Sequence, residues 1–270
     1  MTSAIRQAFE NAARQGRAAF IPFITAGFPD AETCLDILTA LDENGADVIE
    51  LGLPFSDPLA DGPVIQKSSH LALERGATPD SVLDLAARAS SRLQSPLVVM
   101  SYWNPILNMG AERFAERAAS AGVSGVIIPD LPMEEADSWN EAARAAGIET
   151  IFMVAPNTPI ERRRRLALAS RGFLYFVSLT GVTGAGVEFS NGLLAQIEEV
   201  RREASLPVAV GFGVSTPEQA RALAAAADGV IVGSALIREI LSHDRPEDQI
   251  AAAAGIAGNI SRALGRQERI

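Results

Sequence analysis

The 270-residue sequence predicts one α/β domain spanning residues 1–270, a TIM (β/α)8 barrel, and three observations carry that expectation. Short, nearly continuous apolar segments alternate with longer amphipathic ones, as parallel strands covered on both faces alternate with crossover helices. The segments count to eight strands, each followed by a helix, in roughly 250 residues, the size at which such a sheet closes into a barrel. Glycine, acidic and amide residues fall where the strands end, at Gly27, Glu50, Asn104, Asp130, Asn157, Gly181, Gly211 and Gly233, the end at which barrels build their active sites. The main rival is an open doubly wound sheet, which a glycine-rich dinucleotide turn after the first strand would favour; none is present.

The elements follow in order. Residues 3–15 form an extra amphipathic N-terminal helix that stops at Gly16, and 18–25 are the first strand, broken by Gly27 and Pro29. Asp30 caps helix 31–43, which turns Leu35, Ile37, Leu38 and Leu41 inward. Strand 48–51 comes next, and the gap to strand 96–101 is about twice the usual one, so it holds an added helix, 65–74, before helix 81–93. The remaining pairs are helix 111–121 after strand three, then strand 125–128 with helix 133–146, 149–154 with 159–170, 173–178 with 191–203, 207–211 with 216–226 and 229–232 with 234–241. A terminal helix over 247–264 completes the chain.

The net charge of −10 argues against nonspecific nucleic-acid binding, and the one basic run, Arg162 to Arg165, reads as a solvated helix face. A single cysteine, Cys34, excludes an internal disulfide and sits in an apolar helical pattern that suggests packing. No apolar run reaches membrane-spanning length and the N-terminus lacks a signal-peptide core, so a cytoplasmic protein without membrane partners is expected. There is one lysine, Lys67, and only two histidines, His70 and His243. Schiff-base chemistry therefore has one candidate and histidine-rich metal sites almost none, and no metal is expected.

One stretch organises the rest. Asp47 to Gln66 opens as a buried strand interrupted by a carboxylate, Glu50. An ionised carboxylate there must be paired, shift its pKa upward, or sit where the strand opens into a pocket. Pro54, Pro58, Gly62 and Pro63 then forbid regular structure, with Asp57 and Asp61 between them. Both aspartates have a structural alternative as turn formers or as caps of the helix beginning near Pro63.

Three glycine-rich segments come late: Gly181 to Gly186, Gly211-Phe-Gly213, and Gly233-Ser234 at a helix start. After strands seven and eight of a barrel, such turns bring backbone N–H groups and a helix N-terminus to a phosphate. The alternative is that they only make tight turns. Glu50 then stands across the mouth from the anion, with Phe23, Tyr102, Trp103, Phe152, Tyr175 and Phe212 as candidate walls. The combination suits a flat apolar substrate with a phosphate tail, and residues 181–186 suit a lid.

Glu50-Leu-Gly-Leu-Pro-Phe-Ser-Asp-Pro-Leu-Ala-Asp-Gly-Pro-Val-Ile-Gln66 resembles the signature of tryptophan synthase alpha subunits. The likeness continues through Pro22-Phe-Ile-Thr25, Met100-Ser-Tyr-Trp-Asn-Pro105, Pro129-Asp-Leu-Pro132, Val182-Thr-Gly184, Gly211-Phe-Gly213 and Gly233-Ser-Ala235. The resemblance implies a TIM-barrel lyase of L-tryptophan biosynthesis that cleaves indole-3-glycerol phosphate to indole and glyceraldehyde 3-phosphate. It further implies an alpha2-beta2 heterotetramer, with no cofactor in this subunit and pyridoxal phosphate in the beta subunit, which receives indole through a tunnel. By position it makes Glu50 the general acid/base and Asp61 the second catalytic carboxylate. Gly184, Gly213, Gly233 and Ser234 become phosphate contacts, Phe23, Tyr175 and Phe212 the indole pocket, and Asp57 and Thr183 the loop and lid that communicate with the partner. One departure is Leu179, where many members carry Arg before the lid.

The chemistry agrees with that assignment. Carbon–carbon cleavage needs an electron sink, and a substrate whose indole ring is protonated at C3 supplies its own. Glu50 would deliver that proton and Asp61 would stabilise the ring N–H as positive charge develops. The alternatives are a stand-alone indole-3-glycerol phosphate lyase, another phosphate-binding barrel isomerase, and a catalytically weak regulatory subunit.

Overall fold

The computed structural model describes residues 3–177, 191–211 and 213–265. Among them, the strands are β1 (Ala19–Thr25), β2 (Ile49–Gly52), β3 (Leu97–Met100), β4 (Val123–Ile127), β5 (Glu149–Ile151), β6 (Met153–Val154), β7 (Leu174–Val177), β8 (Val208–Gly211) and β9 (Gly229–Val232). The helices are α1 (Ala4–Arg14), α2 (Ala31–Glu43), α3 (Pro63–Glu74), α4 (Pro79–Ser90), α5 (Trp103–Met109), α6 (Ala111–Ser120), α7 (Asp137–Ala146), α8 (Ile160–Ala169), α9 (Asn191–Glu203), α10 (Pro217–Ala226), α11 (Ser234–Ile240) and α12 (Pro246–Ala263). All strand pairs are parallel, in the order β5-β4-β3-β2-β1-β9-β8-β7-β6.

The two ends of that order, β5 and β6, are separated in the chain by Phe152 alone. Together they are the fifth strand, so the sheet closes into the TIM barrel. The expected single strand 149–154 is split because the Phe152 N–H donates to the Ser170 hydroxyl at 3.0 Å instead of to a neighbouring strand. The added helix between strands two and three is present as α3, ahead of α4. Helix α5 was not expected. The Asp130 carboxylate accepts its first amide, from Trp103, at 2.8 Å, and Gly110 ends it at φ 93°. Helix α7 starts at Asp137 rather than at residue 133, after turns that include a Glu135 N–H to Pro132 carbonyl bond.

Alternation along each strand decides what faces inward. Ala19 and Ile21 of β1 pack inside with Val48, Val98, Ile127, Phe173, Ala209 and Ile231, while Phe20 and Ile24 pack outward under the helices. The extra helix α1 buries Ile5, Ala8, Phe9 and Ala12 in that interior cluster. Glycines make the room: a Cβ on Gly229 would lie 2.8 Å from the Phe9 ring, and one on Gly125 2.9 Å from Ile5. Gly229 opens β9, and Gly125 pairs with Glu149, the first residue of β5, so α1 closes the end opposite the active-site rim.

The solvated-face expectation for the arginine run holds for Arg162 and Arg164, which pair at the surface with Glu134 and Glu161, but not for Arg163, whose side chain is only 13% exposed and pairs with Glu199 while its Nε is buried. Cys34 is buried, and burial pushes its thiol up to about 12, which leaves it a packing residue. Asp30 caps α2 by accepting the Glu32 and Thr33 amides at 3.0 and 2.9 Å.

Candidate active site

Two residues beyond the inward-facing Val48, the pleat turns Glu50 inward as well, in register with Phe23 of β1. Glu50 is 1% exposed, and its Oε2 has no hydrogen-bond partner. Burial, and secondarily the negative charge of Asp61, push its carboxyl up to about 8. Asp61 reaches the same cleft from the loop after β2. Burial pushes it up to about 6, against the opposing effect of a hydrogen bond from the Tyr102 hydroxyl. At pH 7 the pair therefore consists of a protonated Glu50 and an ionised Asp61, one acid and one anion facing a single space.

Asp61 is not a helix cap. Helix α3 is capped at Gly62 without a side-chain bond, and Pro63 supplies its first residue. The Asp61 backbone is pinned instead, its N–H bonding the Pro58 carbonyl at 3.3 Å and its carbonyl accepting the Gln66 side-chain Nε2 at 2.8 Å. Asp57 is exposed, takes a hydrogen bond from Ser56, and does not line the cleft.

The cleft, about 770 Å³ with its open mouth, has walls that are mostly apolar, the size and character of a small-molecule site. Phe23 and Tyr175 stand in its wall as expected, joined by Met100, Met153, Ile65 and Ile231. Burial and the two carboxylates raise the Tyr175 hydroxyl well above the ordinary range. Two glycines shape this wall. A Cβ on Gly52 would lie 2.4 Å from the Phe23 ring, and one on Gly211 2.2 Å from the Tyr175 oxygen. Of the other aromatics, Tyr102 stands behind Asp61 and Phe152 belongs to the core outside the barrel.

Gly213, Gly233 and Ser234 line the same cleft. Gly213 has φ +84° with open space beside its Cα, and Gly233 precedes the first turn of α11. Gly213 follows the strand three places round from β2, and Gly233 the strand two places round, so the cradle and the carboxylates flank the mouth. Gly184, Phe212, Thr183 and Leu179 lie outside the described residues.

A family model described as tryptophan synthase alpha chain matches residues 9–264. The chain belongs to the tryptophan synthase alpha chain family. Relatives with that description include one from Gloeobacter violaceus, 50% identical over 246 residues and covering 91% of this chain and 89% of its own. Another, from Dehalococcoides mccartyi, is 50% identical over 237 residues, 88% of this chain and 92% of its own. A tryptophan synthase alpha chain structure from Legionella pneumophila superposes with a TM-score of 0.91 at 34% identity and covers all of both chains. A Mycobacterium tuberculosis tryptophan synthase structure gives 0.90 at 36% identity, covering 99% of this chain and 100% of that one. As a member of this family, the chain is an enzyme subunit in tryptophan biosynthesis.

Sequence reasoning missed Met100 and Met153 in the cleft. Met100 stands two residues beyond the inward Val98 and Met153 two beyond the inward Ile151, so the same alternation that exposes Glu50 would have found both.

Proposed function

We propose that this chain is a lyase that cleaves indole-3-glycerol phosphate to indole and glyceraldehyde 3-phosphate by a retro-aldol reaction. Glu50 donates its proton to ring carbon C3, leaving a carboxylate and an iminium-like ring. The bond from C3 to the glycerol carbon then breaks, its electron pair returns to the ring, and aromatic indole forms. The hydroxyl on that glycerol carbon becomes the aldehyde as its proton passes to the Glu50 carboxylate, which restores the acid. Asp61 stays ionised and accepts the ring N–H while positive charge develops there. The observation that carries this reading is the pair itself, a buried Glu50 carboxyl with an unpartnered oxygen and Asp61 lining one mostly apolar cleft, where burial raises both groups.

Other features support it. Phe23 and Tyr175 flank the carboxylates where the indole would lie, and Gly213, Gly233 and Ser234 offer backbone and hydroxyl donors for the phosphate; the family resemblance adds Gly184, which lies outside the described residues. The chain's single lysine, Lys67, is exposed on α3 and absent from the wall of the cleft, so a lysine Schiff base is not needed. Leu59, in the loop after β2, is 90% exposed, and Leu107, on the helix after β3, is 59% exposed. This apolar rim beside the mouth suits docking of a beta subunit in an alpha2-beta2 assembly, with Asp57 and Thr183 as communicating residues and pyridoxal phosphate held by the partner. No described helix is long and apolar enough to cross a membrane, and we place the single 1–270 domain in the cytoplasm.

The test is indole release from indole-3-glycerol phosphate by the chain, by a beta subunit, and by both together. The reading expects indole and glyceraldehyde 3-phosphate in equal amounts from the chain alone and faster release from the mixture. Turnover of a keto- or amino-sugar phosphate with no aromatic product, or no indole even with the partner, would refute it.

A further inference from the structure

Tyr102 is 3% exposed and takes no part in the wall of the cleft, yet its hydroxyl is tied to the loop that carries Asp61. The Ala60 N–H donates to that hydroxyl at 2.9 Å, which holds the phenol beside the Asp61 side chain. A phenol has one proton to give. With a lone pair occupied by the Ala60 amide, that proton is left for the neighbouring Asp61. The backbone under Tyr102 is itself fixed. The Ser101 hydroxyl bonds the Tyr102 carbonyl at 3.0 Å, and Asp130 accepts the next amide, of Trp103, at 2.8 Å. The ring rests on Phe55, from the same loop as Asp61, with centroids 5.4 Å apart.

We propose that Tyr102 is a positioning residue that locks the loop backbone through Ala60 and Phe55 and so keeps Asp61 turned toward the cleft. Tyr102 does not line the cleft, so it acts only through Asp61 and its loop. The other titratable groups around the pair are Glu50 on β2, Tyr175 on β7 and Asp130 after β4, while Lys67 and His70 on α3 are exposed. All three neighbours are acids or phenols, none of them a cation. Among these groups, a hydrogen-bond donor is what favours the charged form of Asp61.

This inference rests on the proposed cleavage, and the wild-type indole assay tests that cleavage separately. Tyr102→Phe in the full chain should lower kcat about tenfold at pH 7, leave KM within about twofold, and move the acidic limb of the kcat profile upward by about one pH unit. Replacing Tyr102 by 3-fluorotyrosine keeps the ring packing and strengthens the donor, so the limb should move the other way. In the Asp61→Asn background, Tyr102→Phe should change kcat less than twofold. A carboxyl ¹³C titration of Asp61 in the wild type and both variants reads the same shift without any substrate. An unmoved acidic limb and Asp61 midpoint, or losses that multiply in the double variant, would overturn the proposal. If the Phe variant melts early, the fluorotyrosine chain decides.

Discussion

Glu50→Gln tests the acid assignment in two independent ways. An ordinary glutamate at 4.5 keeps about one carboxyl in 300 protonated at pH 7, whereas Glu50 at about 8 keeps about ten protonated for each one ionised. Glutamine preserves shape and neutrality but has no acidic proton, so kcat should fall on the order of 10²- to 10⁴-fold while KM changes little. Stability should move the opposite way. The folded carboxyl titrates above its unfolded value, so the fold binds a proton more tightly than the unfolded chain does. The resulting penalty is absent below about pH 4.5, grows as the pH rises, and levels off above about 8. At pH 7 it amounts to up to about 3 kcal/mol, which the amide removes. Thermal melts at pH 5 and pH 8 should show the variant gaining several degrees over wild type, mainly at the higher pH. Near-normal turnover would remove Glu50 from the chemistry, and a Tm difference independent of pH would refute the burial argument.

Further outcomes follow from the same geometry. Wild-type kcat should be bell-shaped, falling as Asp61 protonates below about 6 and as Glu50 ionises above about 8, with both midpoints belonging to the coupled pair. Asp61→Asn should lower kcat at least tenfold and flatten the acidic limb, whereas intact activity would return Asp61 to a structural role. Gly52→Ala places a methyl 2.4 Å from the Phe23 ring, so it should cost about 1–3 kcal/mol in denaturant unfolding and raise KM, with Phe23→Leu restoring part of both. Phe9→Ala empties the packing of α1 under the barrel and should cost about 3–5 kcal/mol while the folded fraction keeps its kcat.

The barrel was legible because its signal is local and repeated. Eight apolar runs punctuated by caps and glycines are visible without any knowledge of what touches what. Glu50 was legible for a related reason, since a carboxylate in an otherwise apolar strand has few places to go. Asp61 came from the loop's pattern and the family resemblance, because capping and catalysis look alike until Gly62 is seen at the head of α3. What stayed hidden depends on contacts between distant residues. The Tyr102 hydroxyl meets the Ala60 amide across 42 positions, and the break at Phe152 needs the Ser170 hydroxyl 18 positions away. Gly211 reads as part of a phosphate turn, but its missing Cβ also makes room for the Tyr175 oxygen. Helix α5 escaped because its capping oxygen comes from Asp130, 27 positions on.

The most direct test is a carboxyl ¹³C titration of glutamate-labelled chain, with the Glu50 signal assigned by its loss in Glu50→Gln. A midpoint near pH 8 in the wild type, falling in Asp61→Asn as the neighbouring charge disappears, is the predicted result. A Glu50 signal that titrates with the surface glutamates near 4.5, unmoved by Asp61→Asn, would contradict the claim that a neutral acid waits on the second strand for the ring.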